Sequence, residues 1–96
     1  MKLRFEAELW PHEVGASWVF VSLPEDESER IRELPREPRP GFGSIKVSVT
    51  IGATTWLTSI FPQGGGGVYI LPVKKAVRAA EGLEVGDVAR VELELV

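Results

Sequence analysis

The fold is decided by residues 68–96, which read VYILPVKKAVRAAEGLEVGDVARVELELV. The opening Val-Tyr-Ile-Leu is aliphatic, aromatic and β-branched, as strands are. Pro72 is suited to the first position of a helix, where a backbone N–H has no partner, and Gly82 is placed to end that helix in the left-handed conformation. A Gly-Asp pair then marks a turn. The stretch predicts a strand, a helix over residues 72–81, a turn and a last strand.

Two periodicities support this prediction. Four apolar residues share one face of the helix because they recur at the i, i+3, i+4, i+7 spacing. They are Val73, Ala76, Val77 and Ala80. Over residues 89–95 apolar residues alternate with charged ones, which is the period of a strand that buries one face. We expect both apolar faces to pack into the core, together with Leu83 and Val85 between them.

The rest of the chain predicts four more strands and one more helix. Residues 2–9 and 45–51 alternate apolar with polar side chains, and residues 18–23 and 53–61 are rich in β-branched and aromatic ones. The helix, over residues 24–33, begins at a proline, with acidic residues in its first turn and arginines further on. With residues 68–71 and 89–95, this makes six strands.

Three segments predict connections instead of regular structure. Residues 10–15 have the chemistry of a turn. Residues 35–43 hold three prolines, which remove hydrogen-bond donors, and two glycines, which loosen the backbone, so we expect a surface loop. Residues 64–67 are four glycines and predict a mobile connection between strands.

The chain contains an internal echo. A shift of 48 residues places Leu23-Pro24 on Leu71-Pro72, and each half then has the order strand, Leu-Pro, helix, turn, strand. The identities are sparse, so chance is the alternative explanation. The matching order of elements is the stronger argument for two pseudo-duplicated halves.

The segment GVYILPVKKAVRAAEGLEVGDVARVELEL resembles the swapped hairpin of the AbrB and MazE type double-split β-barrels, which are intertwined dimers. The whole chain, including GFGSIKVSVTIGATTWLTSIFP, resembles more closely a small prokaryotic family known as domain of unknown function nineteen-oh-five. That family has no established activity, so the resemblance implies a fold and no catalytic residue. It implies an AbrB-like barrel closed within one chain. We therefore predict one mainly β domain over residues 1–96, a closed six-stranded barrel with two short helices.

Composition limits the partners and the compartment. Eleven basic and fourteen acidic residues give a net charge of −3, so no global field gathers nucleic acid or anionic lipid. The absence of cysteine excludes disulfides, thiolate nucleophiles and cysteine-based zinc sites. No apolar stretch is long enough for a signal peptide or a membrane span, so we expect a soluble cytoplasmic protein. We also expect it to be monomeric or weakly homo-oligomeric.

The usual catalytic constellations are missing from the sequence. His12 is the single histidine, and no carboxylate stands at a metal-ligand spacing from it, so we expect an exposed turn histidine and no metal site. No serine lies in a Gly-x-Ser-x-Gly context. Paired carboxylates, Glu6 with Glu8 and Glu92 with Glu94, point outward on predicted strands beside Lys2, Arg4 and Arg90, where cross-strand ion pairs are the simpler account. We predict neither an enzyme nor a cofactor.

Basic residues offer two candidate binding clusters. Lys74, Lys75 and Arg78 crowd the side of the second helix that we expect to be exposed. They could meet an anion or nucleic acid, but the matching helix over residues 24–33 is acidic, so a two-fold basic face of the AbrB type cannot form within one chain. The other cluster lies in and after the Pro-rich loop, where solubility of the loop is the simpler account. It comprises Arg36, Arg39 and Lys46, with Phe42 as a stacking platform.

Aromatic residues on the predicted strands fill a core in most proteins. We expect this of Trp18. Trp56 stands among threonines and serine and fits either the core or a polar-rimmed pocket. The sequence thus predicts a non-catalytic binding module for an anionic small ligand or a protein partner. The predicted contacts are Arg36, Arg39, Phe42, Lys46, Trp56, Lys74, Lys75 and Arg78. AbrB-like nucleic-acid binding is the alternative, and the charge argues against it.

Overall fold

Seven strands and two helices form the described part of the chain, which comprises residues 1–12, 18–34, 43–63 and 67–96 of a computed structural model. In chain order they are β1 (Lys2–Glu8), β2 (Trp10–Pro11), β3 (Val19–Ser22), α1 (Glu25–Glu33), β4 (Ile45–Ile51), β5 (Thr54–Pro62), β6 (Tyr69–Pro72), α2 (Lys75–Glu81) and β7 (Val88–Leu95). The mainly β class and the two short helices are confirmed. The predicted Pro-rich loop lies outside the described residues except for Gly43, and so do three of the four glycines of the connection after β5.

All strands belong to one antiparallel sheet in the order β1-β7-β4-β5-β6-β3-β2. β1 lies at one edge and β3 lies next to the other, yet these two strands are in contact, so the sheet is strongly curled. The curl follows from two segments that each contribute to both parts of the sheet, the part formed by β1, β7, β4 and β5 and the part formed by β5, β6, β3 and β2. β1 and β2 are separated by Leu9 alone, and β5 pairs with β4 over residues 54–60 but with β6 through Phe61 and Pro62.

The architecture differs from the predicted closed six-stranded barrel, because among the described residues the sheet has seven strands and is open. The added strand is β2, where Trp10 and Pro11 pair with Phe20 and Val19 instead of forming a turn. In the part of the chain that the structure describes, no ladder joins the two edges, since β1 and β2 are consecutive pieces of one kinked segment and cannot lie side by side. At the kink, Leu9 exchanges backbone hydrogen bonds of 2.9 Å with Gly86 and Asp87.

The core lies inside the curl and is built from the predicted alternation. Along β4 the four apolar residues at alternate positions are buried, and Ala89, Val91 and Leu93 of β7 are buried in the same way. Each helix adds an aliphatic side chain, Ile31 from α1 and Val77 from α2. Full burial of such a side chain stabilises the fold by roughly 1.5–3 kcal/mol, so the stability comes from this apolar interior.

Helix α1 begins one residue after the predicted position, whereas α2 begins three residues later than expected. Pro72 belongs to β6, and the backbone N–H of Val73 bonds to Val19, which prolongs the strand. Gly82 ends α2 with a φ of 65°, which confirms the predicted left-handed cap. The predicted apolar face of this helix includes more residues than the helix buries. Because α2 has only seven residues, Val77 is its one buried residue among those described.

The remaining predicted core residues of this half differ in how deeply they are buried. Ala76 and Ala80 are exposed on α2. Leu83 is half-buried and packs against the core, but Val85 is 51% exposed, contrary to the prediction. Val85 directly precedes the Gly-Asp turn, where the chain has left the helix and has not yet joined the sheet.

The order strand, helix, strand occurs twice, as β3-α1-β4 and as β6-α2-β7. β3 and β6 pair around Val21 and Leu71, and symmetric backbone hydrogen bonds of 2.9 Å flank this pair. One runs from Leu23 to Tyr69 and the other from Val73 to Val19. Leu23 therefore corresponds in the structure to Val73. The sequence echo aligned Leu23 with Leu71 instead, so the sequence alignment of the two Leu-Pro pairs differs from the structural one by two residues.

Candidate functional site

β5 and β6 diverge soon after they pair. Their ladder consists of Phe61 opposite Ile70 and Pro62 opposite Tyr69, and β5 then continues beside β4 alone. Within the part of the chain that the structure describes, no strand pairs with residues 54–60 on the side away from β4. The divergence leaves a cleft between β5 and the segment in which β6 leads into α2.

This cleft, which we call the β5–α2 groove, has a volume of about 530 Å³. Trp56, Leu57 and Thr58 form one wall, and Pro72 with the residues that follow it forms the other. A shallower hollow of about 460 Å³ continues from the groove over the outer face of β5. The hollow shares Trp18, Leu57, Thr58 and Pro72 with the groove and adds Lys46, Ser59 and Phe61.

Trp18 stands at the groove and is 60% exposed, so its predicted place in the core is wrong. It precedes β3 by one residue, and its ring stacks on Phe20 with centroids 6.0 Å apart and planes inclined by 13°. Trp10 lies against the same phenyl ring, 5.3 Å away. Phe20 and its neighbours already fill the space beneath, which leaves Trp18 as an outer layer.

Leu57 and Trp56 sit on opposite faces of β5. Trp56 is half-buried and lies opposite Val49 in the ladder. It packs against the core and also lines the groove, so its position combines the two predicted alternatives. Leu57 points outward and is 76% exposed. Exposed apolar side chains that adjoin one another, as Leu57 and Trp18 do along the groove, are typical of interaction surfaces.

Basic residues border the groove and the hollow. Lys74 precedes the first residue of α2, Lys75 is that residue, and both are exposed as predicted. Arg78 is half-buried, contrary to the expected exposure, because its Nε donates a 3.0 Å hydrogen bond to the carbonyl oxygen of Val73. Lys46 lies on the outer face of β4 opposite Ser59 and borders the hollow.

Within the described ranges, the lining of the groove and the hollow is basic and apolar. Among the described residues, no carboxylate lines the groove or the hollow, and neither Lys46, Lys74 nor Lys75 forms an ion pair. The nearest carboxylate on α2 is that of Glu81, which accepts a 2.6 Å hydrogen bond from Thr54 Oγ1 at the opposite end of the helix. In a protein with a net charge of −3, the described lining of the groove is therefore locally positive.

The structure brings five of the eight predicted contact residues to one surface: Lys46, Trp56, Lys74, Lys75 and Arg78. Arg36, Arg39 and Phe42 lie outside the described residues. The sequence prediction missed Trp18, Leu57, Thr58 and Phe61. Strand alternation could have identified Leu57 and Phe61, because Ile60 points into the core and its odd-numbered neighbours must point outward.

The other candidates have structural explanations. His12 is exposed, as predicted, and its ring meets Phe20 edge-on at 5.6 Å. Nowhere in the described ranges do three histidine or acidic side chains come together as a metal site requires. The predicted ion pairs are confirmed, with Lys2 Nζ 2.8 Å from Glu92 and Arg90 Nε 3.0 Å from Glu6.

The Lys2 hydrogen bond changes the acidity of Glu92. It lowers the pKa of this carboxyl below its ordinary value, partly opposed by desolvation and assisted by the charges of Lys2 and Arg4. Both partners remain accessible to water, so the pairs belong to a solvated face of the sheet.

Fold and surface together define a small mainly β domain with a cation-rimmed apolar groove beside one strand. A family model described as Domain of unknown function (DUF1905) matches residues 5–93. The chain belongs to this family. No curated protein matches it. Among the described residues, no helix has the length and apolar character needed to cross a membrane.

Proposed function

We propose that the domain is a non-catalytic binding module, that its site is the β5–α2 groove with the adjoining hollow, and that its ligand is an anion with an apolar part. The observation that carries the proposal is the combination of exposed Trp18 and Leu57 with Lys46, Lys74 and Lys75 at a surface that no described carboxylate lines.

Each part of this surface suits one part of such a ligand. Apolar area removed from water at Trp18 and Leu57 contributes roughly 25 cal/mol per Å². A lysine ammonium about 4 Å from an anion contributes on the order of 1 kcal/mol in water, and more where the groove excludes solvent. The affinity should weaken with salt, because charges farther apart than about 8 Å are screened at physiological ionic strength.

The chemistry of the groove supports binding more than catalysis. A general base must stand within hydrogen-bond reach of the proton that it removes. The described lining residues of the groove offer as polar groups a threonine hydroxyl, two indole N–H donors, two lysines and an arginine, with neither a histidine nor a carboxylate among them. In their protonated forms lysine and arginine hold a negative charge in place and cannot remove a proton.

Nucleic-acid binding by an AbrB-like domain is the alternative. The resemblance of residues 67–95 to the AbrB hairpin favours it, and so does exposed Trp18, because aromatic rings beside cations stack on bases. The structure of α1 weighs against it. Glu25, Asp26 and Glu29 are exposed on the helix that corresponds to α2, so the two halves do not present matching basic surfaces.

An NMR titration with anilinonaphthalene sulfonate, a probe that carries one anionic group on an apolar ring system, tests the proposal. We expect the shifted signals to centre on Trp18, Leu57 and Lys75. The double substitution Lys74→Gln and Lys75→Gln should weaken binding by about fivefold to thirtyfold at low salt, because each lost charge is worth on the order of 1 kcal/mol.

A matched control removes the same two charges elsewhere. Arg4 and Arg90 are exposed on the outer face of β1 and β7, where surface ion pairs contribute little. Arg4→Gln with Arg90→Gln should change the affinity less than twofold. Equal losses in the two double variants, or shifts centred away from the groove, would overturn the proposal. Titration with random duplex DNA at about 50 mM salt tests the alternative, since phosphate contacts are strong there.

A further inference from the structure

The groove runs along an open strand edge. Successive side chains of a strand point to opposite faces of the sheet, yet Trp56, Leu57 and Thr58 all border the groove. Three consecutive residues border one cleft only where that cleft follows the side of the strand. A ligand in the groove therefore meets the backbone of β5 as well as its side chains.

This edge offers hydrogen-bonding groups in a row. In an antiparallel ladder, alternate residues of an edge strand direct their N–H and C=O groups away from the partner strand. For residues 54–60 these groups face the groove side, where no strand in the described ranges pairs with them. Such an edge is a template for an added strand.

We propose that the β5–α2 groove captures an extended acidic peptide, which pairs with residues 55–59 of β5 as an added strand. The proposal rests on the function proposed above and names the class of ligand. The hydrogen bond between Thr54 and Glu81 closes one end of the groove, and the pairing of Phe61 with Ile70 closes the other. At roughly 3.3 Å per residue, the open stretch between them accommodates about five residues.

Charge decides which peptide fits. An added strand lies on the groove side of β5 and directs alternate side chains to the two faces of the sheet, and at least one described lysine stands near each. Lys46 borders the outer face, and Lys74 and Lys75 border the side next to α2. Acidic side chains find partners on either side, whereas a second copy of β5 would bring the same lysines together and repel. The occupant is therefore an acidic peptide and not another copy of this domain.

The test uses an acetylated and amidated hexapeptide of alternating glutamate and valine, with the lysine-valine peptide as its charge control. We expect NMR shifts over residues 55–59, slower exchange of the outward-facing amides among them, and binding at least tenfold weaker for the lysine-valine peptide. Pairing along an edge uses every second amide of the peptide. Two further peptides therefore carry N-methyl groups on the glutamate amides or on the valine amides.

One of the two methylated peptides should lose at least tenfold in affinity while the other binds nearly as the parent does. A shift by one residue does not restore the affinity of the weaker one, because it moves every glutamate from the side of Lys74 and Lys75 to the side of Lys46, where one described lysine stands instead of two. Equal affinities for the two methylated peptides would refute strand addition even if the naphthalene probe still binds at the groove. Loss of binding by both probe and peptide would refute the binding module itself. Dimers that form without peptide and protect residues 55–59 would identify a second copy as the occupant and also overturn the proposal.

Discussion

The substitution Ser28→Ala should destabilise the protein although it removes a single oxygen atom. Ser28 lies in α1, is 0% exposed and is the one buried polar residue among those described. Its hydroxyl oxygen accepts a 3.1 Å hydrogen bond from the backbone N–H of Tyr69 at the start of β6. This contact ties the helix of one half to the strand of the other.

Two opposing effects set the magnitude. A buried N–H left without its acceptor costs about 1–3 kcal/mol. Alanine favours a helix over serine by about 0.5 kcal/mol, which offsets part of the loss. We therefore expect a net loss of about 0.5–2.5 kcal/mol. For a domain of this size, that corresponds to a fall in melting temperature of roughly 2–20 °C.

Urea unfolding followed by far-ultraviolet circular dichroism measures the free-energy change, and hydrogen exchange reports on the Tyr69 amide. Glu29→Ala is the control, because Glu29 is exposed one residue further along α1 and its loss should stay within about 0.5 kcal/mol. We expect faster exchange of the Tyr69 amide in Ser28→Ala than the global loss of stability explains. If the two variants were equally stable, the buried hydrogen bond would not have the role assigned to it.

Two further predictions concern a pair of glycines and one ion pair. Gly82→Ala should cost about 1–2 kcal/mol through its φ of 65° alone, since a Cβ there meets no described atom within 4 Å. Gly52→Ala should cost more, because a Cβ at this position, where φ is 58°, would also displace the flexible carboxylate of Glu81 and with it the hydrogen bond that Thr54 donates; equal urea midpoints would contradict this. The Lys2 hydrogen bond lowers the folded-state pKa of Glu92 below its ordinary value of 4.5. The stabilisation that this ion pair gives to the fold is therefore present above pH 4.5 and is lost as the pH falls through the folded-state pKa of Glu92. In Lys2→Met the Glu92 pKa, followed by carboxyl-carbon NMR, should rise; an unchanged pKa would rule out the assigned cause.

The elements with strong local periodicity could be predicted from the sequence. β4 has the predicted bounds, residues 45–51, because one alternating pattern with one buried face leaves little choice. β2 could not be predicted, since Trp10-Pro11 becomes a strand only through its pairing with β3, and the sequence of such a pair is also that of a turn. The start of α2 shifted for the same reason, because a hydrogen bond to Val19 extends β6 to Pro72.

The candidate site likewise has residues that could be predicted from the sequence and features that could not. Lys74 and Lys75 could be predicted to lie exposed together because both belong to one short helical segment. The exposure of Trp18 could not be predicted, since it depends on Phe20 filling the space beneath it. The groove itself arises where β5 leaves β6, which is a property of pairing between residues far apart in the chain and has no local signature.

The ladder that places Lys2 opposite Glu94 couples folding to synthesis. Among the described residues, the first strand has its ladder with the last, so contacts across nearly the whole chain must form before the sheet is complete. Such a high contact order places folding toward the slow end for a domain of this size. While β7 is still being synthesised, β1 exposes both an apolar face and an unpaired edge, and the nascent chain is most vulnerable to aggregation during that interval.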